Sequence, residues 1–181
     1  MLTITIPAVE MYDEQKNEFF IAQKEQTLQL EHSLVSLSKW ESKWCKPFLS
    51  KDNKTTEETL DYIKCMTITQ NVKPETYNYL SPKNIADINA YINAPMTATT
   101  FYGDNQKGRN RETITSELIY FWMISLNIPM ECQKWHLNRL LTLIRVCNVK
   151  NTPPKKRGKR ELASEYAALN AARRKQFNSK G

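Results

Sequence analysis

The period of the hydrophobic pattern changes once along this 181-residue chain, near Ser33, and that change divides what it can fold into. Before it, Leu2-Thr-Ile-Thr-Ile6 alternates with a period of two and stops at Pro7, which predicts a β-branched strand. Two further short runs, at residues 18–22 and 27–31, are expected to pair with that strand across polar turns. A small hairpin or sheet over residues 1–31 follows. After Ser33, Leu34, Leu37, Trp40 and Trp44 recur at three- and four-residue steps, while Ser36, Ser38, Lys39 and Glu41 take the other face. That spacing predicts an amphipathic helix ending before Pro47.

The rest of the body reads as helical. Thr55-Thr-Glu-Glu58 has the spacing of a capping box, in which the Thr55 hydroxyl accepts from the third helical amide and Glu58 reaches back. The helix it opens is expected to bury Leu60, Ile63, Cys65 and Met66. Pro74 and Pro82 suit first-turn positions and Ser81 suits a cap, which predicts shorter helices over residues 75–80 and 83–92, the second stopped by Asn93-Ala-Pro95. Residues 101–111 hold two of the four glycines and read as an exposed loop. Thr113 opens the most apolar stretch, residues 117–128, which Pro129 separates from a second helix over residues 130–149. An antiparallel pair is expected there, with Trp135, Leu137, Leu140, Leu141, Ile144 and Cys147 covering a wide face. The pair should form the centre of a helical bundle, with the helix of Leu34 and Trp44 packed against it.

Charge marks a separate tail. Residues 148–181 carry ten of the 26 Lys/Arg and only two acids, Glu161 and Glu165, so the formal +7 of the chain comes from this end alone. A breaker, Asn151-Thr-Pro-Pro154, leads into Lys155, Lys156, Arg157, Lys159 and Arg160, then into an alanine-rich segment. The expected organisation is mainly α: a body over residues 1–150, helical from residue 32, and a basic amphipathic helix on a Pro-rich tether over residues 151–181. Along that helix Leu162, Tyr166 and Leu169 fall at i, i+4 and i+7, and Arg173 continues the stripe. A narrow apolar stripe among alanines permits close approach of another helix, so ordering on a partner or on the body is expected.

Catalytic designs find little support. His32 and His136 are the only histidines. Cys132 and His136, one helical turn apart, lack the further ligands of a closed zinc site and an orienting acid for nucleophilic chemistry. Helix interior is the better reading. Glu57, Glu58 and Asp61 sit where acids complement a helix dipole. Four glycines leave no phosphate-cradling loop. Trp40, Trp44, Tyr120, Phe121, Trp122 and Trp135 occur at helical spacing and are expected in the core, although Trp40 and Trp44 flank Lys39, Lys43 and Lys46 in a mixture that also suits an interface. Cys45, Cys65, Cys132 and Cys147 have no paired spacing and read as reduced core thiols. The longest apolar run, residues 118–126, is half a membrane span, and residues 1–7 lack the order of a secretory signal, so a cytoplasmic location is expected. Neither a cofactor, nor a metal, nor enzyme activity is anticipated.

The blocks at residues 28–44, 115–129, 132–148 and 168–175 resemble a family of small proteins from tailed bacteriophages and prophages. The likeness covers most of the chain, including the first strand and the closing Asn178-Ser-Lys-Gly181. It implies a tail assembly factor, a chaperone in the host bacterial cytoplasm that acts between synthesis of the tail tube and the long helical tape-measure protein. It implies no catalytic residue. A free tape measure exposes apolar helical stripes that aggregate, and a basic helical arm suits them. The expected apolar contacts are Leu162, Tyr166 and Leu169, with Arg173, Arg174 and Lys175 pairing to acids on the partner. Two other classes compete: a nucleic-acid-binding or head-to-tail joining protein, for which Lys155, Lys156, Arg157, Lys159 and Arg160 suit DNA phosphates equally well, and a structural subunit of the tail.

Overall fold

A computed structural model of the chain describes residues 1–101, 113–152 and 159–177, with backbone alone at residues 159–162. The expected loop at 101–111 therefore lies outside the described residues except for Phe101. The chain is mostly helical with a small set of antiparallel strands at its amino terminus. It divides into two compact units, Met1–Asn148 and Val149–Gly181.

In the first unit, β1 (Leu2–Ile6) pairs antiparallel with β4 (Gln26–Leu30), from Leu2↔Leu30 to Ile6↔Gln26. Ile4, Ile6, Leu28 and Leu30 share one face and are buried, while Thr3, Thr5, Thr27 and Gln29 point to solvent. Residues 18–22 do not join this pair. They belong to β3 (Glu18–Gln23), which pairs with a strand the sequence pattern does not announce, β2 (Val9–Asp13), in a second two-stranded sheet.

Among the described residues six α-helices follow: α1 (Leu34–Trp44), α2 (Thr56–Met66), α3 (Pro82–Asn93), α4 (Ser116–Ser125), α5 (Leu137–Asn151) and α6 (Lys159–Phe177), with 3-10 turns at Pro74–Tyr79 and Met130–Lys134. Capping boxes at Ser33, Thr55 and Ser81 start the first three. Helix α1 serves two cores. Its Trp40 packs with Ile4, Ile6, Leu28, Leu30, Tyr62, Ile63 and Ile88, on the side of the β1–β4 pair, α2 and α3. Its Leu34 and Leu37 pack with Ile119, Met123, Ile128, Leu137, Leu140 and Ile144.

That double role corrects two expectations. Ser36 and Glu41, assigned to a solvent face, are buried, because α1 has neighbours on more than one side. The hub is α1, which touches α2, α4 and the Met130–Lys134 turn, and not an α4–α5 pair. The last body helix also begins later than Met130: the Ser33–His136 bridge and a 2.7 Å bond from Leu137 N–H to the His32 carbonyl hold residues 135–136 extended, so α5 starts at Leu137. Trp135 lies outside that helix, half-buried under the Arg139 guanidinium at 4.1 Å from its ring. In α2 the buried positions are Glu58, Asp61, Tyr62, Ile63 and Met66, while Leu60 and Cys65 are only partly covered. All four cysteines are free thiols; Cys132 is buried but Cys45, at the left-handed end of α1, is exposed rather than in the core.

Among the described residues no helix is long and apolar enough to cross a membrane.

Candidate partner-binding site

The two histidines, far apart in sequence, meet between the cores with ring centroids 5.1 Å apart. His32 Nδ1 lies 2.6 Å from the Tyr62 hydroxyl. The Tyr91 carbonyl can only accept, so the 3.0 Å contact to His136 Nε2 places the proton there and leaves Nδ1 to accept from Asn138 N–H at 3.3 Å. The Tyr91 hydroxyl donates to Glu31 at 2.6 Å, and Glu31 also meets the Met1 ammonium at 3.0 Å. Desolvation by burial, with the charge of His136 beside it, lowers the His32 pKa to about 4. Burial lowers His136 as well. This is a structural knot joining β4, α2, α3 and the start of α5. Cys132 and His136 do not share a helix, so the spacing that made them a conceivable pair does not exist. Among the described residues no group of three His, Cys, Asp or Glu side chains is placed to hold a metal ion.

The acidic cluster of α2 is likewise committed. Lys46 donates to Glu58 at 2.6 Å and this bond, with those at Thr55, lowers the Glu58 pKa. Lys43 pairs with Asp61, which also accepts from Trp44 Nε1 at 2.9 Å. Burial alone would raise the Asp61 carboxyl, but the Lys43 and Trp44 bonds outweigh it and the net direction is down. Trp40 Nε1 donates to the Glu58 carbonyl at 2.9 Å. The lysine and tryptophan mixture around Trp40 and Trp44 is thus tied to α2.

Among the described residues, exposed apolar side chains group on three elements, apart from single ones such as Leu49, Ile68 and Ile85. The first is α6, where every described side chain is exposed. Tyr166 and Leu169 stand on one stripe with Arg173, and the helix runs on to Phe177, which returns to the same stripe eleven residues after Tyr166 and is 73% exposed. The sequence reading stopped at Lys175 and missed it, although the helical period alone points to it. Arg174 and Lys175 fall in the last turn, where cations complement the helix dipole. Lys155, Lys156 and Arg157 lie outside the described residues; Lys159, Arg160 and Leu162 are on α6, but their side chains are not described.

The second is α4. It is apolar around most of its circumference, yet packing covers the Ile119 and Met123 side and leaves Phe121 and Ile124 at 61% and 67% exposure. Phe121 is therefore not the core aromatic its spacing suggests; Tyr120 and Trp122 are partly buried. The third is the β2–β3 hairpin, where Met11, Tyr12, Phe19, Phe20 and Ile21 are all exposed. Single exposed apolar residues need no explanation, but groups of them are typical of surfaces that meet other molecules.

Comparisons with protein-family models, with curated proteins and with solved structures gave no match.

Proposed function

We propose that this chain is a tail assembly factor of a tailed bacteriophage, a chaperone that holds helical segments of the tape-measure protein in the host cytoplasm. The observation that carries the reading is α6: a helix with Tyr166, Leu169 and Phe177 exposed on one stripe, Arg173 on the same stripe, and Arg174 and Lys175 in the last turn. In water such a stripe gains by covering itself with another apolar helix face. The cations at this end of the helix select a partner with acids along its stripe. In this reading the body is a helical bundle with the small strand set at one end. The basic α6 is an arm on the Pro-rich tether that joins a partner by helix-on-helix packing.

Co-expression of the full chain with the tape-measure protein of the same phage is the test. The wild type is expected to keep the tape measure soluble and to co-purify with it in high salt, because apolar contact is not screened. Tyr166→Asp with Leu169→Asp should weaken that association about tenfold or more, equivalent to about 1.4 kcal/mol, without changing the melting of the body. Loss of binding in salt, together with salt-sensitive DNA binding that the double substitution leaves intact, would instead favour a nucleic-acid role for the basic run at residues 155–160. Retention of the chain in finished particles would favour a structural subunit.

A further inference from the structure

A hairpin with apolar side chains ordinarily turns one face to the core, and this one turns neither. Among the described residues β2 and β3 pair only with each other, so each strand keeps one free edge. The register Glu10↔Ile21, Met11↔Phe20, Tyr12↔Phe19 and Asp13↔Glu18 assigns Tyr12, Phe19 and Ile21 to one face and Met11 and Phe20 to the other. Phe19 is 75% exposed and Ile21 57%. The turn is well formed: Asp13 Oδ1 accepts from Gln15 N–H at 3.0 Å and Lys16 N–H at 3.3 Å, and Asn17 takes the left-handed conformation at φ 57°. Two-stranded hairpins standing alone are marginal in water, so a strand pair with both faces apolar gains from a third strand.

Charge narrows what that strand can be. The segment from Val9 to Gln23 carries four acids, Glu10, Asp13, Glu14 and Glu18, against one base, Lys16. Edge-to-edge pairing of two copies would bring two net-acidic hairpins together, Glu18 being the acid on β3 itself, which disfavours self-association. A basic strand meets the opposite situation. The β3 side also continues at its foot into a cleft of about 670 Å³, lined by Ile21 and Gln23 and by two lysines and two glutamates, Lys24, Lys73, Glu25 and Glu75, so the acidic bias belongs to the hairpin and not to the cleft. No β2 residue lines this cleft, so it extends the run of β3 away from its partner strand.

We propose that the free edge of β3 binds, by strand addition, an extended segment of a partner protein in which apolar and basic residues alternate. Backbone amides of the added strand pair with the β3 edge, its apolar side chains lie beside Phe19 and Ile21, and its basic side chains lie on the face of Glu18. The acids thus act twice, against pairing with a second copy and for a basic partner. This surface is separate from α6 and stands whether or not the chain is a tape-measure chaperone.

The probe is a short fluorescent peptide of alternating valine and lysine, titrated with the full-length protein and followed by anisotropy. Two controls accompany it: the valine–glutamate analogue, and the valine–lysine peptide N-methylated along one edge, which keeps its charge but cannot pair. Saturable binding of the first peptide, about tenfold or more tighter than either control, is expected. Glu18→Lys with Phe19→Ser should remove that preference while leaving the thermal melt in place, since neither residue belongs to a core. Equal binding of the N-methylated peptide, or undiminished binding by the double variant, would overturn the proposal. So would a concentration-dependent dimer in sedimentation that the same substitutions abolish, because the occupant would then be a second copy.

Discussion

Glu41→Ala is expected to lower the folding stability by about 2–5 kcal/mol, read as a fall in the denaturation midpoint at constant slope. Glu41 is only 7% exposed, and its two carboxylate oxygens serve different segments. One accepts from Phe48 N–H at 2.8 Å, the other from Ser116 N–H at 2.7 Å. Ser116 opens α4, so its amide is among the donors that a helix leaves unpaired at its start, and a negative charge there also faces the positive end of the helix dipole. Alanine removes both acceptors together, and each stranded donor costs about 1–3 kcal/mol. Glu41→Gln keeps one carbonyl oxygen and turns an amide donor toward the other N–H, so its loss should fall between wild type and alanine. A Glu41→Ala protein that unfolds at the wild-type denaturant concentration would show that this carboxylate does not hold α1 to α4.

Glu41 also illustrates what the sequence can and cannot show. Features set by near neighbours are legible: the capping box at Thr55, the cap at Ser81 and the alternation of β1 depend on residues a few positions apart. Features set by distant partners are not. Helical periodicity separates Leu34, Leu37 and Trp40 from Ser36 and Glu41, but it assumes one buried face, and α1 has two. The late start of α5 depends on a bond from Leu137 to His32, one hundred and five positions away. Strand β2 escapes because both its faces are exposed, so Val-Glu-Met-Tyr-Asp shows no clean alternation to read. The exposure of Phe121 and Ile124 is hidden for a related reason: an all-apolar helix does not reveal which side its neighbours leave open. The α6 stripe was legible because it needs only the helical period, and Phe177 extends it by the same rule.

The second large effect is acid lability through His32. Its folded pKa is lowered to about 4 from an ordinary value of 6.5, first by burial and then by His136. An unfolded chain binds a proton at this position as the pH falls through about 6.5, whereas the folded chain does not until about pH 4. Protons therefore favour unfolding across that window. The contribution of His32 is fully present above pH 6.5, declines as the pH falls and levels off below about 4. The gap between the two pKa values corresponds to about 3 kcal/mol at its limit. His136 acts in the same direction, because burial lowers its pKa too. Carboxylates such as Asp61 and Glu58, whose pKa values are lowered by their lysine partners, lose their contribution only below the ordinary carboxylate range, so the interval from pH 6.5 to 5 reports on the histidines. Denaturation midpoints should stay nearly level from pH 8 to 6.5 and then fall from 6.5 to 5 for the wild type, and fall more gently over that second step for His32→Gln, which stays neutral and still offers the Tyr62 hydroxyl a partner. An unchanged pH slope in that variant would mean that His32 is not what acid attacks. A flatter slope would identify the His32–His136 contact as the place where protonation loosens β4 from α2 and the start of α5.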